Sequence, residues 1–151
     1  MSVTGAVVLA VALAVTVAAV RWARTRNGAL RGADGEEADT IPTAVLEELG
    51  VRPADAELTV VQFSTAFCGP CRATRARLQQ LQATRPGLAY VDVDAESHLD
   101  AVRALDVRRT PTLLYLRRDG SLLGRSSGAP RAEELTALVD AHTGARDGWG
   151  G

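Results

Sequence analysis

The run Leu58-Thr59-Val60-Val61-Gln62-Phe63-Ser64, followed three residues later by Cys68-Gly69-Pro70-Cys71, decides how this chain reads. The first seven residues are apolar on both faces and rich in β-branched side chains, the pattern of a strand covered on both sides of a sheet. Over residues 72–85, Ala73, Ala76, Leu78 and Leu81 give a helical rather than an alternating spacing. The only two cysteines among 151 residues therefore stand where a strand hands over to a helix. A Cys-x-x-Cys pair in that context predicts a redox-active dithiol.

The spacing supplies the chemistry. Pro70 suits the first turn of a helix, where its missing N–H leaves nothing unpaired. Cys68 then lies beside free backbone N–H groups at the positive end of the helix dipole. Such surroundings stabilise a thiolate, lower its pKa and make it the attacking nucleophile. Two intervening residues bring Cys71 back over one helical turn, where it resolves a mixed disulfide by attacking Cys68. Cys68 is expected at the surface, with Cys71 beneath it.

Three blander readings compete. A structural zinc site needs about four ligands, and beyond the two cysteines only His98 and His142 remain, without finger-like spacing, so no metal is expected. A purely structural disulfide closing so short a loop gains little chain entropy. Two unrelated buried thiols would leave Gly69-Pro70 between them without a purpose.

Phe67-Cys68-Gly69-Pro70-Cys71-Arg72 resembles the active site of the thioredoxin superfamily, with Phe67 where that family usually has tryptophan. The resemblance covers roughly residues 58–141. Val107-Arg108-Arg109-Thr110-Pro111-Thr112-Leu113-Leu114-Tyr115 is similar to the family segment that contains a cis-proline. Arg118-Asp119-Gly120 fits its following hairpin turn, and Gly128 fits the glycine before its last helix. The resemblance implies an α/β, thioredoxin-like fold: a mixed central sheet with a parallel strand pair and an antiparallel hairpin, and helices on both faces. It also implies a cis Pro111 packed against the dithiol and a Thr110 backbone free to pair with an extended substrate segment. Without it, Thr110-Pro111 reads as an ordinary trans turn, since cis is only about 5–6% of X–Pro bonds in folded proteins.

Two departures from the family pattern matter. Six residues before Cys68 stands Gln62, where thioredoxins commonly bury an aspartate that accepts the proton of the second cysteine. A glutamine amide is no base near neutral pH. Tyr90 stands where the family often places a lysine paired with that aspartate. A neutral pair avoids a desolvation cost but removes the usual proton relay, so resolution by Cys71 is expected to be slower than in a general cytosolic thioredoxin. Asp92, Asp94 and Glu96, near His98, read as residues that cap and flank a helix.

Residues 3–20 form an uncharged run of seven valines, six alanines, two leucines, two threonines and one glycine. At 1.5 Å per residue this would extend about 27 Å, close to the ~30 Å hydrocarbon core of a bilayer. No basic side chain precedes the run, and it ends in Arg21-Trp22-Ala23-Arg24-Thr25-Arg26, unlike a cleaved signal peptide. The expectation is one N-terminal transmembrane helix within residues 1–22, making a single-pass protein of the cell membrane. The arginine cluster would hold its flank, and the domain that follows, in the cytoplasm. Residues 23–40, polar and containing Gly28, Gly32 and Gly35, read as a flexible linker. Residues 41–143 read as the thioredoxin-like domain, opening with a short helix between Pro42 and Gly50. Residues 144–151 read as a disordered tail.

The formal net charge of −1 gives no electrostatic basis for binding nucleic acid. Neither a phosphate-cradling glycine loop nor a Ser-His-Asp pattern is visible. No cofactor is expected beyond the Cys68–Cys71 disulfide itself. Electrons must then come from an external donor, such as a thioredoxin reductase or a membrane thiol donor, and pass to protein disulfides. The reading is a membrane-anchored thiol-disulfide oxidoreductase serving cell redox homeostasis. Cys68 and Cys71 would be catalytic, Phe67, Gly69, Pro70 and Gln62 would support them, and Thr110 and Pro111 would hold substrate. Two alternatives stand beside it: an extracytoplasmic reductase of the cytochrome c maturation type, and a non-catalytic binding module on the same fold. Gln62→Asp is expected to speed insulin-disulfide reduction near neutral pH; an unchanged or slower rate would put the Cys71 proton on another route.

Overall fold

The computed structural model describes residues 3–26, 31–32 and 40–144. Its elements are α1 (Val3–Arg26), β1 (Arg31–Gly32), α2 (Thr43–Glu48), β2 (Leu58–Ser64), α3 (Gly69–Thr84), β3 (Leu88–Asp94), α4 (Leu99–Ala104), β4 (Thr112–Arg117), β5 (Leu122–Ser127) and α5 (Ala132–His142). The strands form one mixed sheet in the order β1-β5-β4-β2-β3. β2 and β3 are parallel, with Gln62 opposite Asp92, while β4 pairs antiparallel with β2 and β5.

β2 has a strand on either side, and all seven of its residues are buried. Its alternation supplies two cores. Leu58 and Val60 pack with Leu78, Leu81, Leu113, Leu135 and Val139, on the side of α3 and α5. Val61 and Phe63 pack with Leu46, Val93, Ala101, Leu114 and Leu116, on the side of α2 and α4. Full burial of each such side chain contributes about 1.5–3 kcal/mol. The expected mixed sheet with helices on both faces is present.

Local chemistry sets the element ends. α2 stops at Gly50, whose φ of 66° suits a residue without Cβ. There Val51 N–H donates to the Leu46 carbonyl at 2.8 Å and Gly50 N–H to that of Glu47 at 3.0 Å, a paired closure of the last turn. In the β4–β5 hairpin, Gly120 takes φ 82° and its N–H donates to the Arg117 carbonyl at 2.9 Å. α3 buries Cys71, Thr74, Leu78 and Leu81. Ala73 and Ala76, expected on that stripe, are exposed; contact with the sheet sets the helix phase, and Thr74 fits inside because its hydroxyl donates to the Pro70 carbonyl at 3.0 Å.

The N-terminal region differs most from expectation. α1 is a continuous helix of 24 residues, and Val7, Leu9, Leu13, Val17 and Trp22 on it are exposed. Among the described residues, no helix is long and apolar enough to cross a membrane. The expected transmembrane span therefore has no support in the structure. Within the stretch read as a linker, Arg31 and Gly32 pair antiparallel with Arg125 and Gly124 at the sheet edge. The rest of that linker between Asn27 and Asp39, and the tail beyond Gly144, lie outside the described residues.

Leu78 is fully buried between α3 and the sheet. Leu78→Ala should cost about 2–5 kcal/mol, the usual range for emptying such a site. Urea denaturation of the oxidised protein checks this; a loss well below that range would mean α3 closes onto the sheet by itself.

Candidate active site

The turn between β2 and α3 places both sulfurs. Cys68 is the cap of α3 in extended backbone geometry, and its Sγ accepts a hydrogen bond from Cys71 N–H at 3.2 Å. Pro70 occupies the first turn of the helix, and Arg72 N–H donates to the Cys68 carbonyl at 3.3 Å. Cys68 and Cys71 are joined as a disulfide, with Cα atoms 5.2 Å apart. Cys71 is the inner sulfur at 1% exposure and Cys68 the outer at 9%, while the neighbouring Phe67 is 99% exposed. Cys68 is thus more shielded than the surface position expected from the sequence.

A second loop closes on this turn. The Thr110–Pro111 peptide bond is cis. Pro111 is buried, and its carbonyl accepts Gly128 N–H at 2.7 Å. Thr110 Oγ1 lies 3.5 Å from Thr65 Oγ1, linking the loop before β4 to the loop after β2. The long separation of these residues in sequence makes the pairing invisible to local pattern; the likeness to a family pointed to the cis bond at Pro111 but not to Thr65.

Beneath the disulfide, Gln62 is fully buried. Its Nε2 donates to the Cys71 carbonyl at 3.0 Å, and its Oε1 accepts from the Tyr90 hydroxyl at 3.2 Å. Both ends of the amide are satisfied, as a buried polar group requires. The Tyr90 hydroxyl also lies 3.4 Å from Asp92 Oδ1. Burial first, and the Asp92 carboxylate second, push the Tyr90 pKa up to about 12. The phenol therefore remains a donor at neutral pH.

Asp92 is the residue that the sequence reading misplaced. It does not flank a helix: its Oδ1 accepts from Ser64 Oγ at 2.8 Å, and its Oδ2 pairs with Arg75 of α3. Asp94 does take the expected place before α4, accepting from Glu96 N–H at 3.0 Å and from Ser97 Oγ at 2.5 Å. The Ser97 bond is the main cause holding the Asp94 carboxyl below its ordinary pKa. The parallel register that sets Asp92 beside Gln62 is the signal that would have found it. Among the described residues, no group of three or more His, Cys, Asp or Glu is placed to hold a metal ion.

The thioredoxin family model matches residues 48–141. Thioredoxin H4-1 of Oryza sativa subsp. japonica is 29% identical over 89 residues, covering 57% of this chain and 67% of its own. Thioredoxin of Bos taurus is 29% identical over 87 residues, covering 58% and 81%. The X-ray structure of Fasciola hepatica thioredoxin aligns with a TM-score of 0.54 at 25% identity, over 66% of this chain and 89% of that one. The match takes in β2, the dithiol turn and the cis-proline loop together, and this chain belongs to the thioredoxin family of protein-disulfide oxidoreductases.

Proposed function

We propose that the chain reduces protein disulfides through Cys68 and Cys71 while tethered to the cell membrane by α1. The observation that carries the chemistry is the Cys71 N–H directed at Cys68 Sγ at the start of a 16-residue helix. When the dithiol is reduced, the same N–H and the helix dipole favour the Cys68 thiolate. That thiolate attacks one sulfur of a substrate disulfide, and the other substrate sulfur leaves with the bond's electron pair. Cys71 then attacks Cys68, releases the second substrate thiol and restores the Cys68–Cys71 disulfide. Two electrons have passed to the substrate. The disulfide is the only redox group this cycle uses, so an external thiol donor, a thioredoxin reductase or a membrane dithiol, must return them.

Supporting roles follow from placement. Gly69 and Pro70 form the turn that starts α3, and Gln62 fixes the Cys71 carbonyl. Phe67 offers a free aromatic face beside Cys68, suited to apolar contact with a partner. The Thr110 backbone makes no backbone hydrogen bond among the described residues, which leaves it available to an extended substrate strand next to Pro111.

The tether rests mainly on the uncharged run of residues 3–20 and the arginines after it. Large exposed apolar side chains along α1 need a covering environment. Thr16 Oγ1 donates to the Ala12 carbonyl at 2.8 Å, the internal pairing that a polar side chain needs where water is absent. On this reading residues 1–22 anchor, 23–40 link, 41–143 act, 144–151 trail, and the domain faces the cytoplasm.

Insulin-disulfide reduction by the full chain in detergent should vanish in Cys68→Ser. Equal rates for variant and wild type would leave only a binding module. Cys71→Ser should accumulate substrates as mixed disulfides on non-reducing gels. In intact cells, a C-terminal tag should resist external protease; cleavage from outside would place the domain across the membrane, as in reductases of cytochrome c maturation.

A further inference from the structure

Resolution by Cys71 requires that its thiol lose a proton, and the buried group nearest its backbone, Gln62, cannot accept one. A cavity of about 220 Å³ opens beside Cys71, and Ser64, Arg72, Arg75, Asp92 and Asp94 help to line it. That volume has room for several waters at roughly 30 Å³ each. Asp92 enters the network from the strand next to Gln62, held by Ser64 Oγ, the Tyr90 hydroxyl and Arg75. Its side chain is 26% exposed, so one carboxylate borders both the Cys71 cavity and the outer solvent.

We propose that Asp92 takes the Cys71 thiol proton through water in this cavity and hands it to solvent. The inference rests on the reductase reading above. Cys71 gives its proton, by way of water, to the Asp92 carboxylate. The Cys71 thiolate bonds to Cys68 Sγ, the bond from Cys68 to the substrate sulfur breaks, and its electron pair leaves with that sulfur. The departing thiolate is protonated from solvent, to which Asp92 also returns its proton. No further reductant enters this half of the cycle.

The charges facing Asp92 suit the role. From α3 come Arg72 and Arg75, from β3 Tyr90 and Asp94, and from β2 only the neutral Gln62 and Ser64. Arg75 pairs with the outer oxygen of the carboxylate and fixes its orientation, and Asp94 is occupied by Ser97 and the Glu96 N–H. A carboxylate at the sheet edge avoids the desolvation that a fully buried base suffers. Gln62 and Tyr90 form a neutral bridge between the Cys71 carbonyl and this carboxylate.

The test is the lifetime of the mixed disulfide between the full chain and a chromogenic aryl disulfide, followed by stopped flow. Asp92→Asn should lengthen it about tenfold at neutral pH, below the 10²–10⁴-fold of a dedicated base because water partly substitutes. Alkylation of Cys68 by iodoacetamide should keep its rate. The gap should close at about pH 9, above the usual thiol pKa of roughly 8.5. Gln62→Asp added to Asp92→Asn should restore the rate. Equal lifetimes in wild type and Asp92→Asn across the pH range overturn the relay and leave the reductase standing. So does slowing by the same factor at every pH, the mark of a packing role. Failure of the wild type to form any mixed disulfide overturns the reductase reading itself.

Discussion

The hydrogen bond from Cys71 N–H to Cys68 Sγ exists because α3 begins immediately after Cys68, and the remaining geometry serves to keep it there. A helix starts at that point because Pro70 can occupy the first turn and because the stripe of Cys71, Thr74, Leu78 and Leu81 has a sheet to lie on. The sheet is firm beneath it because β2 is buried along its whole length and flanked on both sides. Move the helix start by one residue and the N–H no longer meets the sulfur. The apolar packing is therefore a condition of the chemistry.

Polar groups under the disulfide extend this constraint sideways. Gln62 ties the Cys71 carbonyl to Tyr90, Tyr90 reaches Asp92, and Asp92 is tied to Ser64 and Arg75. Each net hydrogen bond is worth only about 0.5–1.5 kcal/mol, but stranding one of these groups costs about 1–3 kcal/mol. The chain of bonds fixes the orientation of the inner cysteine more than it raises stability. It also puts the neutral Gln62 against the Cys71 backbone, with the nearest carboxylate two hydrogen bonds away at the sheet edge.

Much of this was legible in the sequence. Leu58–Ser64 announced a doubly covered strand, Pro70 a helix start and Gly50 a helix end, because each signal is local, while the Gly120 hairpin turn came with the family likeness. The cis Thr110–Pro111 bond came from likeness to a family and not from any property of the dipeptide. Asp92 was misread because its partners Arg75 and Ser64 lie 17 and 28 residues away, across a helix and a strand. Ala73 and Ala76 were misread because periodicity gives the period of a helix and not its phase. Arg31 and Gly32 join the sheet through backbone pairing, which leaves no mark on side-chain pattern.

Gln62 has a thermodynamic corollary. A carboxylate buried at its position would bind protons differently in the native and unfolded chain, and stability would slope with pH across its titration. An amide with both ends paired has nothing to titrate. Position 62 therefore adds no such slope of its own, and the hold of Gln62 on the inner cysteine is the same whatever the charge on the sulfurs.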